Sequence, residues 1–278
     1  MLFRSPPLST GTRQYLWLVR YGLTHPGLVE NVGPYDSDLQ DPVGLEHARA
    51  TGERLANPSQ PAAVPTMVYS DPFLRCMRTA DLVCKAINAA GDGGGEVRVR
   101  VEEGTTEWQV PSLLVGPDGT RTHPRTAEEL AVMFPATVDA TYRSVNPQGP
   151  DRTDEMVGGG GEGDADRSPR FPESEDELQS RITCTLERIL EDVGDERSLA
   201  IVGHAPCVQH LALCLEGSAT PAEARGLGPW SCGGVTLFSR PAGKVGSWSL
   251  EMYSDTEHMP EEYREGKKGA WSLPSFAR

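Results

Sequence analysis

The 278-residue sequence has no C-x-x-C pair among its six cysteines, no H-E-x-x-H or H-x-H grouping among its six histidines, and no apolar run approaching the roughly 18 residues of a membrane span. The first two absences argue against a metal site and a disulfide framework. Cys76, Cys84, Cys184, Cys207, Cys214 and Cys232 are therefore expected to be reduced thiols. The third absence, with an N-terminus lacking an apolar signal-peptide core, leads to the expectation of a soluble, non-secreted protein of the cytoplasm or nucleus. Basic residues are scarce as well. Lys and Arg total 26 against 40 Asp and Glu, and the resulting net charge of −14 repels nucleic acid and anionic membrane. Hydrophobic residues reach only 37%, while 30 Gly and 23 Pro indicate long connections around an ordinary core.

What is present is an alternation of strand-like and helix-like segments. Residues 15–19, Tyr-Leu-Trp-Leu-Val, read as a buried strand that ends at Arg20 and Gly22. Leu45, Ala48 and Leu55 share one face of a helix over 43–55, with Glu46, Arg49, Glu53 and Arg54 largely on the other. A strand over 66–69, the cap Ser70-Asp71-Pro72 and a helix over 73–87 repeat the pattern. Val97, Val99 and Val101 alternate with Arg98 and Arg100 as a half-exposed strand. A helix over 178–190, a strand over 198–202 and a helix from about 208 to 215 follow, and 234–239 and 248–253 supply closing strands. This order predicts an α/β fold with a mostly parallel central sheet and helices on both faces. One domain over residues 1–278 is expected, with an insertion at about 111–177. The insertion has one helix, over 126–142, and an acidic, Gly-rich tract at about 146–176 that has little to bury and should be flexible.

In such sheets ligands sit beyond the carboxyl ends of the strands. Arg20 and His204 both occupy such positions, and Arg75 lies one turn into the helix after its cap. An isolated arginine at a strand end is more often a surface ion pair. Together, two guanidinium groups suited to bidentate phosphate contact, a histidine and helix N-termini with unsatisfied N–H groups make an oxyanion pocket. Thr24 is either a further phosphate donor or a turn former. Glu107 is either an acid or a loop carboxylate paired with an arginine. Trp108 and Trp230 are core residues or cleft walls, and Asp255 and His258 read as structural.

The segments Leu18-Val19-Arg20-Tyr21-Gly22-Leu23-Thr24, Asp38-Leu39 with Gly44-Leu45-Glu46-His47-Ala48, Tyr69-Ser70-Asp71-Pro72-Phe73-Leu74-Arg75-Cys76-Met77-Arg78-Thr79-Ala80, and Val202-Gly203-His204-Ala205 resemble the histidine phosphatase superfamily, also called phosphoglycerate mutase-like. A narrower similarity lies in 101–108, 138–142, 171–174 and 254–259. These resemble the branch containing the suppressor-of-T-cell-signalling phosphatase domains, ecdysteroid-phosphate phosphatase and a subunit of transcription factor IIIC. The resemblance implies no cofactor and a phosphate or phosphomonoester ligand. In the family, the histidine of an Arg-His-Gly motif attacks phosphorus, two arginines and a second histidine hold the equatorial oxygens, and a carboxylic acid protonates the leaving oxygen. Carried over, Arg20, Arg75 and His204 match the phosphate clamp and Glu107 the proton donor, while the nucleophile's position holds Tyr21.

That departure directs the functional expectation. A phenol with a pKa of about 10 is ionised to roughly one part in a thousand near pH 7, whereas a neutral imidazole offers its lone pair there. A phosphotyrosine ester is also a far poorer phosphoryl donor to water than a phosphohistidine. The leading expectation is a phosphate-binding pseudophosphatase with weak or no turnover. Two alternatives stay open: a specialised phosphomonoesterase using His204, His25 or an activated water, and an interaction or scaffold subunit with a protein partner or a second copy of the chain.

Overall fold

The computed structural model describes residues 13–24, 36–57, 62–91, 95–116, 119–147, 171–194, 198–218, 227–243, 247–264, 271 and 273. The strands are β1 (Arg13–Arg20), β2 (Met67–Ser70), β3 (Val99–Val101), β4 (Ser198–Gly203), β5 (Val235–Pro241) and β6 (Ser249–Asp255). They form one sheet in the order β3-β2-β4-β1-β5-β6. The first four positions are parallel, and β5 and β6 close one edge antiparallel, so the sheet is mixed but mostly parallel.

Successive side chains of a strand point to opposite faces, and both faces here are apolar. Trp17, Val19, Val68, Ala200 and Val202 join one core, while Leu16, Leu18, Tyr69, Leu199 and Ile201 join the other. The helices are α1 (Val43–Ala56), α2 (Leu74–Ala90), the single turn α3 (Pro111–Leu114), α4 (Ala127–Met133), α5 (Glu175–Val193) and α6 (Ala205–Glu216). Leu55, Met77, Val83 and Leu130 bring α1, α2 and α4 onto the first face; Ile182, Ile189, Val208 and Leu211 bring α5 and α6 onto the second. Covered on both sides, β4 has no exposed residue and needs no polar alternation. Each such buried aliphatic side chain stabilises the fold by about 1.5–3 kcal/mol relative to exposure.

The helix expected over 126–142 is much shorter. It starts at Thr126, whose side chain and that of Glu129 form a capping box, but Phe134 leaves helical geometry (φ −127°, ψ 57°) ahead of Pro135. The proline ring crowds the preceding residue out of the helical region, so α4 stops at Met133. Conversely, α5 begins three residues before the expected start because Ser174 and Glu177 make a second capping box. Most of the acidic tract, residues 148–170, lies outside the described residues, as does His25.

The connection after β1 lies directly against α1. A Cβ at Gly22 would collide with the carbonyl of Gly44, and one at Gly44 with the carbonyl of Leu23, so backbone meets backbone at this crossing. That contact fixes where the chain leaves the end of β1. All six cysteines carry free thiols, and among the described residues no helix is long and apolar enough to cross a membrane.

Candidate functional site

Strand register brings the site together. Arg20 pairs with Gly203 at the ends of β1 and β4, and Ser70 with Val202 at the ends of β2 and β4. The residues that follow, Tyr21, Asp71 and His204, therefore leave the sheet side by side. Tyr21 N–H donates to Gly203 O at 3.3 Å, and Asp71 N–H to Val202 O at 3.0 Å. Arg75 arrives from the first turn of α2. Glu107 comes from the loop beyond β3, just after a 3-10 turn over Glu103–Thr105.

Both guanidinium groups close on one ring. Arg20 Cζ lies 5.5 Å and Arg75 Cζ 5.1 Å from the Tyr21 centroid, within cation–π range. Arg20 is anchored by its hydrogen bond to Trp230 O, and Arg75 by Glu107 Oε2 at 3.5 Å. The Tyr21 ring meets His204 edge-on, with centroids 5.0 Å apart, and Phe73 packs against the same imidazole at 5.3 Å. His204 is fully buried between two carboxylates: Nδ1 lies 2.9 Å from Asp71 Oδ2 and Nε2 3.4 Å from Glu107 Oε2. Of the residues singled out in the sequence, the fold thus gathers Arg20, Tyr21, Arg75, Glu107 and His204. Thr24 instead forms an isolated bridge with Leu39, and among the described residues no hydrogen bond joins its hydroxyl to the cluster.

Burial sets the protonation states. It raises the Tyr21 phenol above its ordinary value, and the opposing pull of Arg75 and Arg20 does not cancel the rise, so the ring carries its proton at neutral pH. Burial holds His204 well below the usual imidazole range; Glu107 pulls it up, while Arg75 and Arg20 push it further down. The imidazole is therefore neutral. The Asp71 carboxyl is lifted by burial to about 7, although the Phe73 N–H and Arg75 favour its charged form.

Asp71, Cys76 and His204 bring ligand-type atoms within 4.8 Å of one another. Cys76 Sγ lies 3.6 Å from Nδ1 and 3.9 Å from Nε2. Burial, however, pushes the thiol well above its ordinary pKa. A cation here would require the buried thiol to give up its proton and would sit close to the Arg75 guanidinium, both of which oppose it.

Two residues central to the site were not singled out in the sequence. Asp71 was legible only as a helix cap, and it does accept from Phe73 N–H at 2.7 Å, but its second oxygen meets a histidine 133 positions away. Arg181 interrupts the apolar stripe of α5. Its guanidinium donates to both oxygens of Glu173 at 2.8 Å and to the carbonyls of Gly104 at 3.0 Å and Thr106 at 2.9 Å, fixing the backbone that delivers Glu107. The usable signal was one arginine among Leu178, Ile182, Thr185 and Ile189, all on the buried face.

Residues 16–130 match the family model described as histidine phosphatase superfamily (branch 1). No curated protein matches the chain. Among solved structures, a mycobacterial glucosyl-3-phosphoglycerate phosphatase complexed with VO3 is similar at 18% identity and a TM-score of 0.53, over 87% of this chain and 100% of that one. A putative alpha-ribazole-5'-P phosphatase from Escherichia coli is similar at 15% identity and a TM-score of 0.52, over 87% and 96% of the two chains. The protein has the histidine phosphatase fold.

Within this fold, Glu107 Oε2 lies 3.5 Å from Arg75 and 3.4 Å from His204, so its charge would compete with any anion placed against the same two groups. Replacing the carboxylate by an amide of the same shape removes that competition. Glu107→Gln is expected to tighten binding of inorganic phosphate or vanadate by about tenfold, equivalent to ~1.4 kcal/mol of relieved repulsion. Isothermal titration calorimetry on the two proteins checks it; unchanged or weaker binding would show that the carboxylate is not a competitor.

Proposed function

We propose that the chain is a member of the histidine phosphatase superfamily that binds phosphate or a phosphomonoester between Arg20 and Arg75 and turns it over weakly or not at all. The observation that carries this reading is Tyr21: both guanidinium groups converge on a protonated phenol, in the position that the family's motif gives to its attacking histidine. The clamp supports anion binding, since charge-assisted hydrogen bonds from Arg are roughly twice as strong as neutral ones. The phenol opposes the covalent cycle, because it neither ionises readily nor forms an ester that water cleaves easily. The narrower likeness to the branch with the suppressor-of-T-cell-signalling domains favours a phosphorylated ligand without a cofactor.

Calorimetry with phosphate, sulfate and vanadate, beside hydrolysis of an aryl phosphate, tests the reading. The expected result is measurable oxyanion binding, weakened roughly tenfold or more in Arg75→Met because a charged hydrogen bond contributes about 1.5–3 kcal/mol, together with negligible turnover. Burst kinetics in the native protein that vanish in Tyr21→Phe would overturn it. Turnover that survives Tyr21→Phe but is lost in His204→Ala would instead identify an active phosphomonoesterase centred on His204.

A further inference from the structure

His204 has no access to water, and each of its ring nitrogens faces a carboxyl group. A neutral imidazole carries one N–H and one lone pair, so it can donate to only one of the two. The other contact is favourable only when that carboxyl group supplies the proton itself. Two arrangements satisfy all three groups. In one, Asp71 Oδ2–H donates to Nδ1 while Nε2–H donates to Glu107. In the other, Nδ1–H donates to Asp71 while Glu107 Oε2–H donates to Nε2.

We propose that Asp71, His204 and Glu107 form a proton relay, with Asp71 the positioning residue that sets the tautomer of the imidazole. The transfer is balanced. The O–H bond of Asp71 breaks as an N–H bond forms at Nδ1, and the N–H bond at Nε2 breaks as an O–H bond forms on Glu107 Oε2. No charge enters or leaves the trio. The 2.9 Å contact is already a hydrogen bond, and the 3.4 Å contact is of the kind that tightens when a site is occupied.

The surroundings decide which arrangement prevails. Arg75 from α2 lies 3.5 Å from Glu107 Oε2, and that ion pair favours the arrangement with the proton on Asp71 in the free protein. Arg20 and Tyr21 from the end of β1 act on the imidazole, and Arg181 from α5 acts on Asp71. The thiols of Cys76 and Cys207 face the same groups from α2 and α6. An oxyanion that engages Arg75 draws it from Glu107, and the proton then moves across His204 to Glu107. The ligand thereby arms the acid that would protonate a leaving oxygen. This last consequence rests on the phosphate-site reading, whereas the relay itself belongs to the unliganded chain.

Side-chain ¹⁵N shifts of His204 in the 278-residue chain, recorded across neutral pH with and without vanadate, test the proposal. The native imidazole should be the Nε2–H tautomer on the acid side, shifting toward Nδ1–H as pH rises through about 7 and Asp71 loses its proton. Vanadate at fixed pH should move it in the same direction. In Asp71→Asn the bond from Phe73 N–H holds the amide oxygen at the Oδ1 position, so the NH2 group takes the place of Oδ2 and donates to Nδ1. That variant should remain Nε2–H at every pH, with no response to vanadate. A native tautomer indifferent to both pH and vanadate, or an ordinary titration to imidazolium near 6.5, overturns the relay, and the native series decides this even should the variant not fold. Vanadate binding with a fixed tautomer would sink the relay alone. A pH-driven tautomer change without vanadate binding would sink the phosphate site alone.

Discussion

Tyr21→His is expected to raise hydrolysis of an aryl phosphate by at least about a hundredfold, the scale of gain associated with one positioned acid, base or nucleophile. The other groups stand ready around that side chain: Arg20 and Arg75 on either side, His204 with centroids 5.0 Å away, and Glu107 against both Arg75 and His204. An imidazole nitrogen lies closer to the backbone than a phenol oxygen does, which would enlarge the space between the guanidinium groups where we propose that phosphate binds. Steady-state kinetics and trapping of acid-labile phosphohistidine measure the change. If the variant is no faster than Tyr21→Phe, the pocket is incompetent for reasons beyond its missing nucleophile, and the interpretation of Tyr21 as the silencing residue fails.

Arg181→Met is expected to be the most destabilising of the substitutions considered, at about 3–5 kcal/mol, the usual cost of breaking a buried ion pair from one side. Glu173 would lose the cation that holds both its oxygens, and the carbonyls of Gly104 and Thr106 would lose their donors. A drop of roughly 10 °C in Tm by calorimetry corresponds to that range for a chain of this size. The double variant Arg181→Met with Glu173→Gln should recover part of the loss, since no unpaired charge is then left in the interior. A shift of only a degree or two in the single variant would mean that the clamp contributes little to holding the loop of Glu107.

The strand and helix order was legible because this sheet is covered on both faces. Continuous apolar runs such as Leu16–Val19 and Leu199–Val202 mark its central strands, and amphipathic helices follow them. Boundaries were less legible where one residue decides them, as at Pro135 and at the Ser174–Glu177 box. In the site, Arg20, Arg75, Glu107 and His204 could be assembled from motif likeness, but their couplings could not. The double role of Asp71 depends on β2 lying beside β4, and the role of Arg181 on α5 crossing the loop after β3. Neither juxtaposition leaves a trace in local spacing. Thr24 shows the converse, since nearness in sequence to Tyr21 did not bring its hydroxyl into the cluster.

The alignment of Arg20 with Gly203 has a consequence for how this protein tolerates change. Because Tyr21 and His204 each take their place from the last rung of a parallel ladder, deleting one residue within β1 or β4 would displace a site group by about 3.3 Å and turn its neighbours to the opposite face. The ladder of β1 and β4 is held instead by its own paired residues, and the loop of Glu107 by the contact of Glu173 with Arg181. Within the two central strands a single missing residue would therefore pull apart the cluster of Arg20, Tyr21 and His204.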